Sequence, residues 1–143
     1  MLGAGRLALV VDDQRDFRIA LEQLLVALGF RVTCAASGVE AMARLLDEPP
    51  ALILLDLFMP GMDGIELLSQ LQTDGRPVPP TIALTGYIDH QHGVGRTAEL
   101  LGANAGLLKP FTKHQLETTI AAVLHLPAVD DGALGTADSA QDN

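Results

Sequence analysis

Five short apolar runs, each followed by a stretch with another periodicity, set what this chain can fold into. They are Leu7-Ala-Leu-Val-Val11, Phe30 to Cys34, Ala51-Leu-Ile-Leu-Leu55, Thr81-Ile-Ala-Leu-Thr85 and Gly106-Leu-Leu-Lys109. The first is continuous rather than alternating, as in a strand covered on both faces. Ala51 to Leu55 is the most apolar run and is expected at the centre of a sheet. Strands that alternate with amphipathic helices predict a parallel α/β sheet.

The intervening stretches supply the helices. From Asp16 to Leu28 the residues Phe17, Ile19, Ala20, Leu21, Leu24, Leu25 and Leu28 recur at helical spacing. Gly29 suits the left-handed position past a helix end. Ser37 is an N-cap for a helix through Ala41, Met42, Leu45 and Leu46, stopped by Pro49-Pro50. A third helix turns Ile65, Leu67, Leu68 and Leu71 inward. A fourth, near Asp89 to Leu101, is weakened by Gly93 and Gly95. Thr112 caps the last, through Leu116, Ile120, Val123 and Leu124. The expectation is one domain over residues 1–126 and an acidic, flexible tail over 127–143.

Composition narrows the class of function. At 143 residues and 48% hydrophobic content the chain is long enough to bury a core without staples. Cys34 has no second cysteine to pair with, which fits a reducing cytosol, and it reads as a small core residue. No signal peptide is visible, because Leu7 to Val11 runs straight into Asp12 and Asp13. No stretch approaches the roughly 20 apolar residues that span a bilayer, so a soluble, cytoplasmic protein without membrane attachment is expected. The net charge is −9, and −5 up to Leu126, from nine basic and fourteen acidic residues. An acidic body argues against direct nucleic-acid binding, which needs clustered Lys and Arg.

The polar residues that interrupt the apolar pattern fall at the carboxyl ends of the strands. Asp12 and Asp13 follow the first strand, Asp56 the third, Thr85 ends the fourth and Lys109 the fifth. Ligands of open parallel sheets bind at those ends. Three converging carboxylates repel one another and raise one another's pKa unless compensated. A hard divalent cation and one fixed ammonium compensate them, with Asp13 and Asp56 as metal ligands and Asp12 reaching through water. Lys109 and the Thr85 hydroxyl are then left for the oxygens of a phosphoryl group, in chemistry that is mainly positioning and charge neutralisation. The nucleophile is a carboxylate, and the product an acyl phosphate.

These residues resemble the receiver domains of two-component response regulators, over essentially residues 7 to 126. The resemblance rests on VVDD ending at Asp13, LLDLFMPGMDG from Leu54 to Gly64, ALTGY from Ala83 to Tyr87, and LLKPF from Leu107 to Phe111. It implies a single doubly wound, flavodoxin-like sheet in order 2-1-3-4-5 with five helices. It implies that Asp56 accepts a phosphoryl group from a sensor histidine kinase or a histidine phosphotransfer protein. It further implies that Asp12, Asp13, Asp56 and the main-chain carbonyl of Phe58 hold Mg2+, or Mn2+ in its place. Thr85 and Lys109 would contact the phosphoryl group, and the Lys109–Pro110 peptide would be cis. Such a domain is a phosphorylation switch rather than a metabolic enzyme, acting on a partner, an output domain or a second receiver. The alternative is a docking domain that works without phosphorylation.

The match has departures. Receiver domains often carry Tyr or Phe three residues before the lysine, and here that position is Gly106. Tyr87 or movement of the glycine-weakened fourth helix would have to substitute. Phe58 and Tyr87 are expected to restrict water at the acyl phosphate. Two rival functions fit less well. A haloacid-dehalogenase-like phosphatase wants a second acid where Phe58 stands, and a flavodoxin-like cofactor binder wants a phosphate-cradling loop where Asp12 and Asp13 stand. His90, His92 and His114 are expected to be exposed, and His125 to serve as a cation near the end of the last helix, rather than to bind metal. Met42, Met59 and Met62 read as core and loop filler, and Arg96 and Lys113 fit an output surface or a solvated face. The sequence is compatible with a stand-alone regulator and with one receiver of a longer protein.

Overall fold

The computed structural model describes residues 1–59, 61, 64–86 and 102–127. Five strands, β1 (Leu7–Val11), β2 (Arg31–Ala35), β3 (Leu52–Asp56), β4 (Thr81–Thr85) and β5 (Ala105–Leu108), form one sheet in the order β2-β1-β3-β4-β5. Every neighbouring pair is parallel. Four helices are present among the described residues: α1 (Arg15–Ala27), α2 (Gly38–Asp47), α3 (Gly64–Thr73) and α4 (Lys113–Val123). The helix expected near 89–101 lies outside the described residues, as do Pro60, Met62, Asp63, Tyr87, His90, His92, Arg96 and the tail from 128.

Strand parity divides the interior in two. Ala8, Val10, Leu52, Leu54, Ile82, Leu84 and Leu107 share one cluster with Leu21 and Leu25 of α1 and Leu116 and Ile120 of α4. Leu9, Val11, Ile53, Leu55 and Ala83 share the other with Ala41 of α2 and Leu67 and Leu68 of α3. Helices therefore cover both faces, and β1, β3 and β4 are buried along their whole length. Each fully buried leucine contributes about 1.5–3 kcal/mol, so the three central strands carry most of the fold. The strand order reverses between β1 and β3, where such sheets open a crevice.

Helix boundaries follow local chemistry. The Ser37 hydroxyl accepts the Glu40 N–H at 3.2 Å, and the Glu40 carboxylate accepts the Ala36 N–H at 2.9 Å. Thr112 and Gln115 form a reciprocal capping box at the start of α4. Gly29 takes φ +97 after α1, as its position requires. Ile19, Ala20 and Leu46 depart from the expected inward faces: Ile19 is 38% and Leu46 64% exposed, and Ala20 also faces outward. At about 100° per residue, Ile19 falls nearly opposite the stripe through Leu21, Leu25 and Leu28, and Ala20 lies beyond its edge.

The glycine that opens α3 is fixed by proximity. A Cβ on Gly64 would sit 2.2 Å from the Asp56 carbonyl oxygen and 2.7 Å from the Leu57 Cα. The first turn of α3 therefore presses on the end of β3, with the Gly64 N–H donating to the Leu57 carbonyl at 3.1 Å. Gly61 serves differently, with φ +72 and open space around it.

Candidate functional site

Register brings the acids together. Val10 pairs with Leu54 across β1 and β3, so the same alternation two residues on sets Asp12 beside Asp56. Leu107 lies on that face of β5, and two residues beyond it comes Lys109. Asp12 is fully buried and Asp56 is 7% exposed, whereas Asp13 is exposed. Carboxylate oxygens of the three lie within 4.8 Å of one another. β3 ends on Asp56 itself, paired with Leu84, one residue later than the apolar run suggests. The ladder, not apolarity, sets the strand end.

Each carboxylate has its own set of partners. The Asp12 Oδ1 accepts the Gln14 N–H at 2.9 Å, and its Oδ2 lies 2.7 Å from the Lys109 Nζ. The Asp56 Oδ1 accepts the Phe58 N–H at 3.1 Å, and its Oδ2 lies 3.5 Å from the same ammonium. Burial pushes the Asp56 carboxyl above its ordinary range; the Phe58 N–H and Lys109 oppose this, and the charges of Asp12 and Asp13 add to it. Thr85 is buried at the end of β4, and its carbonyl accepts the Lys109 N–H at 2.8 Å. The Lys109–Pro110 peptide is cis. The Phe58 side chain is 49% exposed at the rim.

The donor set fits a hard divalent cation. Two buried carboxylates share one ammonium, the exposed Asp13 stands beside them, and all three offer oxygens within 4.8 Å of one another. Mg2+ uses few carboxylates and keeps several waters, so an exposed Asp13 beside two buried acids suits it. Exposed acids are common elsewhere on proteins; what marks this cluster is the burial of Asp12 and Asp56 against like charge.

Three further residues converge on the site that sequence reading did not select. Gln14 offers Oε1 at 3.4 Å from the Lys109 Nζ, and the Arg18 Nη1 donates to the Asp12 carbonyl at 2.8 Å. The Lys109 Nζ also lies 4.1 Å from the centroid of the Phe17 ring. Residues 14, 17 and 18 are one helical turn apart, so their spacing just after Asp13 was the available signal. Outside the site, Cys34 is half-buried, its Sγ 3.6 Å from the Glu22 Oε1, and burial and Glu22 push the thiol up to about 11. His114 and His125 are exposed.

Fold and site together define a doubly wound α/β domain with an acidic, metal-competent crevice at the carboxyl ends of its strands. The family model described as the response regulator receiver domain matches residues 8–121, and the chain belongs to that family. It is 37% identical over 116 residues to the probable transcriptional regulator ycf27 of Porphyridium aerugineum, covering 81% of this chain and 47% of that one. It is 34% identical over 122 residues to the transcriptional regulatory protein TctD of Salmonella typhimurium, covering 84% and 52%. A response regulator receiver protein from Burkholderia phymatum superposes with a TM-score of 0.72 at 34% identity, covering 86% of this chain and 98% of that structure. The chain spans about half the length of the curated relatives it matches. Among the described residues no helix is long and apolar enough to cross a membrane.

Proposed function

We propose that this domain is a phosphorylation switch in which Asp56 takes a phosphoryl group from a sensor histidine kinase or a histidine phosphotransfer protein. The observation that carries the reading is the pairing of two buried carboxylates, Asp12 and Asp56, on one shared lysine at a strand-order reversal. An Asp56 oxygen attacks phosphorus, the P–N bond of the phosphohistidine breaks, and its electron pair leaves with the imidazole nitrogen, which takes up a proton. Mg2+, or Mn2+ in its place, would be held by Asp12, Asp13, Asp56 and the carbonyl of Phe58, and supplies charge neutralisation when bound. Lys109 and the Thr85 hydroxyl bind phosphoryl oxygens, and the gain of charge shifts a pre-existing equilibrium.

The protein catalyses only its own phosphorylation and phosphate loss, in the cytoplasm. It acts through a partner, an output domain or a second receiver, with no nucleic-acid contact of its own. Gly106 pairs with Ala83 in the sheet, so no ring swings there. Thr85 is instead tied to Lys109 through the backbone, which favours a main-chain route for the signal.

The test is intact mass after incubation with Mg2+ and acetyl phosphate. The expected result is a gain of one phosphoryl group that is lost with chelator and in Asp56→Asn. No gain with any donor or metal would overturn the reading in favour of a docking domain independent of phosphorylation.

A further inference from the structure

We infer that Phe17 is a positioning residue for Lys109, its ring holding the ammonium where the phosphoryl group is to be met; this rests on the proposed phosphoacceptor role of Asp56. Lysine is a compact charge on a flexible four-carbon stem, and fixing it requires partners on more than one side. Lys109 stands just past β5, a strand at the edge of the sheet. Asp12 draws its Nζ to 2.7 Å, while Asp56, the nucleophile of the proposed reaction, is at 3.5 Å. Held by the carboxylates alone, the ammonium would settle against Asp12, whose charge is the more deeply buried.

The Phe17 ring supplies a third side, 4.1 Å from the Nζ to its centroid, within the range where a ring face attracts a cation. The side chain of Lys109 is only 15% exposed, so this attraction is less screened than at a surface. The ring is itself braced. Phe111 meets it edge-on, with centroids 5.8 Å apart and planes at 88°. Phe111 is two residues after Lys109, so the segment that carries the lysine also returns to fix the ring that receives it. Phe17 and Phe111 both pack against the α1–α4 side of the core. The position of the ammonium is thereby referred to α1, the helix that follows the acids Asp12 and Asp13. An aliphatic residue at position 17 would fill the core as well and give the cation nothing.

The test compares Phe17→Leu, Phe17→Met and Phe17→Tyr in the full chain, with acetyl phosphate and Mg2+. Loss of the ring is expected to slow phosphorylation roughly three- to tenfold, with Mg2+ affinity little changed, while Phe17→Tyr keeps the parent rate. In a Lys109→Gln background Phe17→Leu should add nothing further, which a general packing defect would not reproduce. A second readout does not depend on phosphorylation: the Lys109 side-chain protons should lose an upfield ring-current shift in Phe17→Leu and keep it in Phe17→Tyr. Parent rates in the aliphatic variants, equal slowing in the lysine-free background, or an unmoved Lys109 resonance would each overturn the inference. A parent protein that takes no phosphate while the Lys109 resonance shifts as stated would sink the phosphoacceptor reading and leave the ring's hold on the lysine standing.

Discussion

The two ends of β4 treat buried polarity in opposite ways. At its start, Thr81 is fully buried, and every polar group described there finds a neutral partner: its N–H donates to the Asn104 Oδ1 at 2.8 Å, its hydroxyl to the Pro79 carbonyl at 2.9 Å. The Thr81 carbonyl accepts the Asn104 N–H at 2.8 Å. At the other end the sheet gathers Asp12 and Asp56, like charges in low dielectric that share one lysine. Asp56 stays above its ordinary carboxyl range even so. Neutral satisfaction at one end is what folding alone selects, since buried polar groups are costly unless paired. Charge left partly uncompensated at the other end is what a metal and a phosphoryl group are suited to complete.

Replacing Lys109 would sharpen this contrast most. Lys109→Met removes the cation from two buried carboxylates and should cost about 3–5 kcal/mol in metal-free protein, read by urea unfolding. Added Mg2+ should restore part of the loss, because a ligand that binds only the folded state stabilises it by about 2.7 kcal/mol at a hundredfold excess over Kd. No recovery with Mg2+ would separate the acid cluster from metal binding.

Asn104→Ala attacks the opposite end. It leaves the buried Thr81 N–H without its acceptor and should cost about 1–3 kcal/mol, while Mg2+ affinity and phosphorylation stay at parental values. A change in either would mean that the two ends are not independent.

The smallest effect is a gain. A raised carboxyl pKa means that the folded state binds a proton the unfolded chain has released, so the ionised Asp56 subtracts stability at neutral pH. That subtraction fades as pH falls through the raised folded-state value toward the ordinary carboxylate range. Asp56→Asn should therefore melt a few degrees above the parent at pH 7 without metal, and the difference should vanish in acid. A variant less stable than the parent at pH 7 would show that the Lys109–Asp56 contact outweighs burial.

Much of this was legible in the chain. β1 and β4 coincide with the apolar runs that predict them, since a strand buried on both faces has little sequence freedom. Asp12, Asp56 and Lys109 stood out because each interrupts the apolar pattern at the carboxyl end of a strand. Ile19 and Leu46 misled because apolar character suggests burial, whereas about 100° per residue turns Ile19 opposite Leu21 and Leu25 and Leu46 away from Ala41 and Leu45. The helical spacing of Phe17 and Arg18 after Asp13 pointed toward the site, but their particular partners depend on how α1 lies across the sheet toward β5 and the end of β1. Gly64 was legible as the end of the LLDLFMPGMDG motif, and its physical reason is the close approach of α3 to Asp56.

The central claim is that Asp56 is the phosphoacceptor, and its most direct test is chemical trapping. The protein is treated with acetyl phosphate and Mg2+, reduced with borohydride, which converts an acyl phosphate to an alcohol, and mapped by peptide mass spectrometry. Homoserine at position 56 and nowhere else is the predicted result. Phosphate retained on a histidine or hydroxyl, or homoserine at position 12 or 13 instead, would contradict the account.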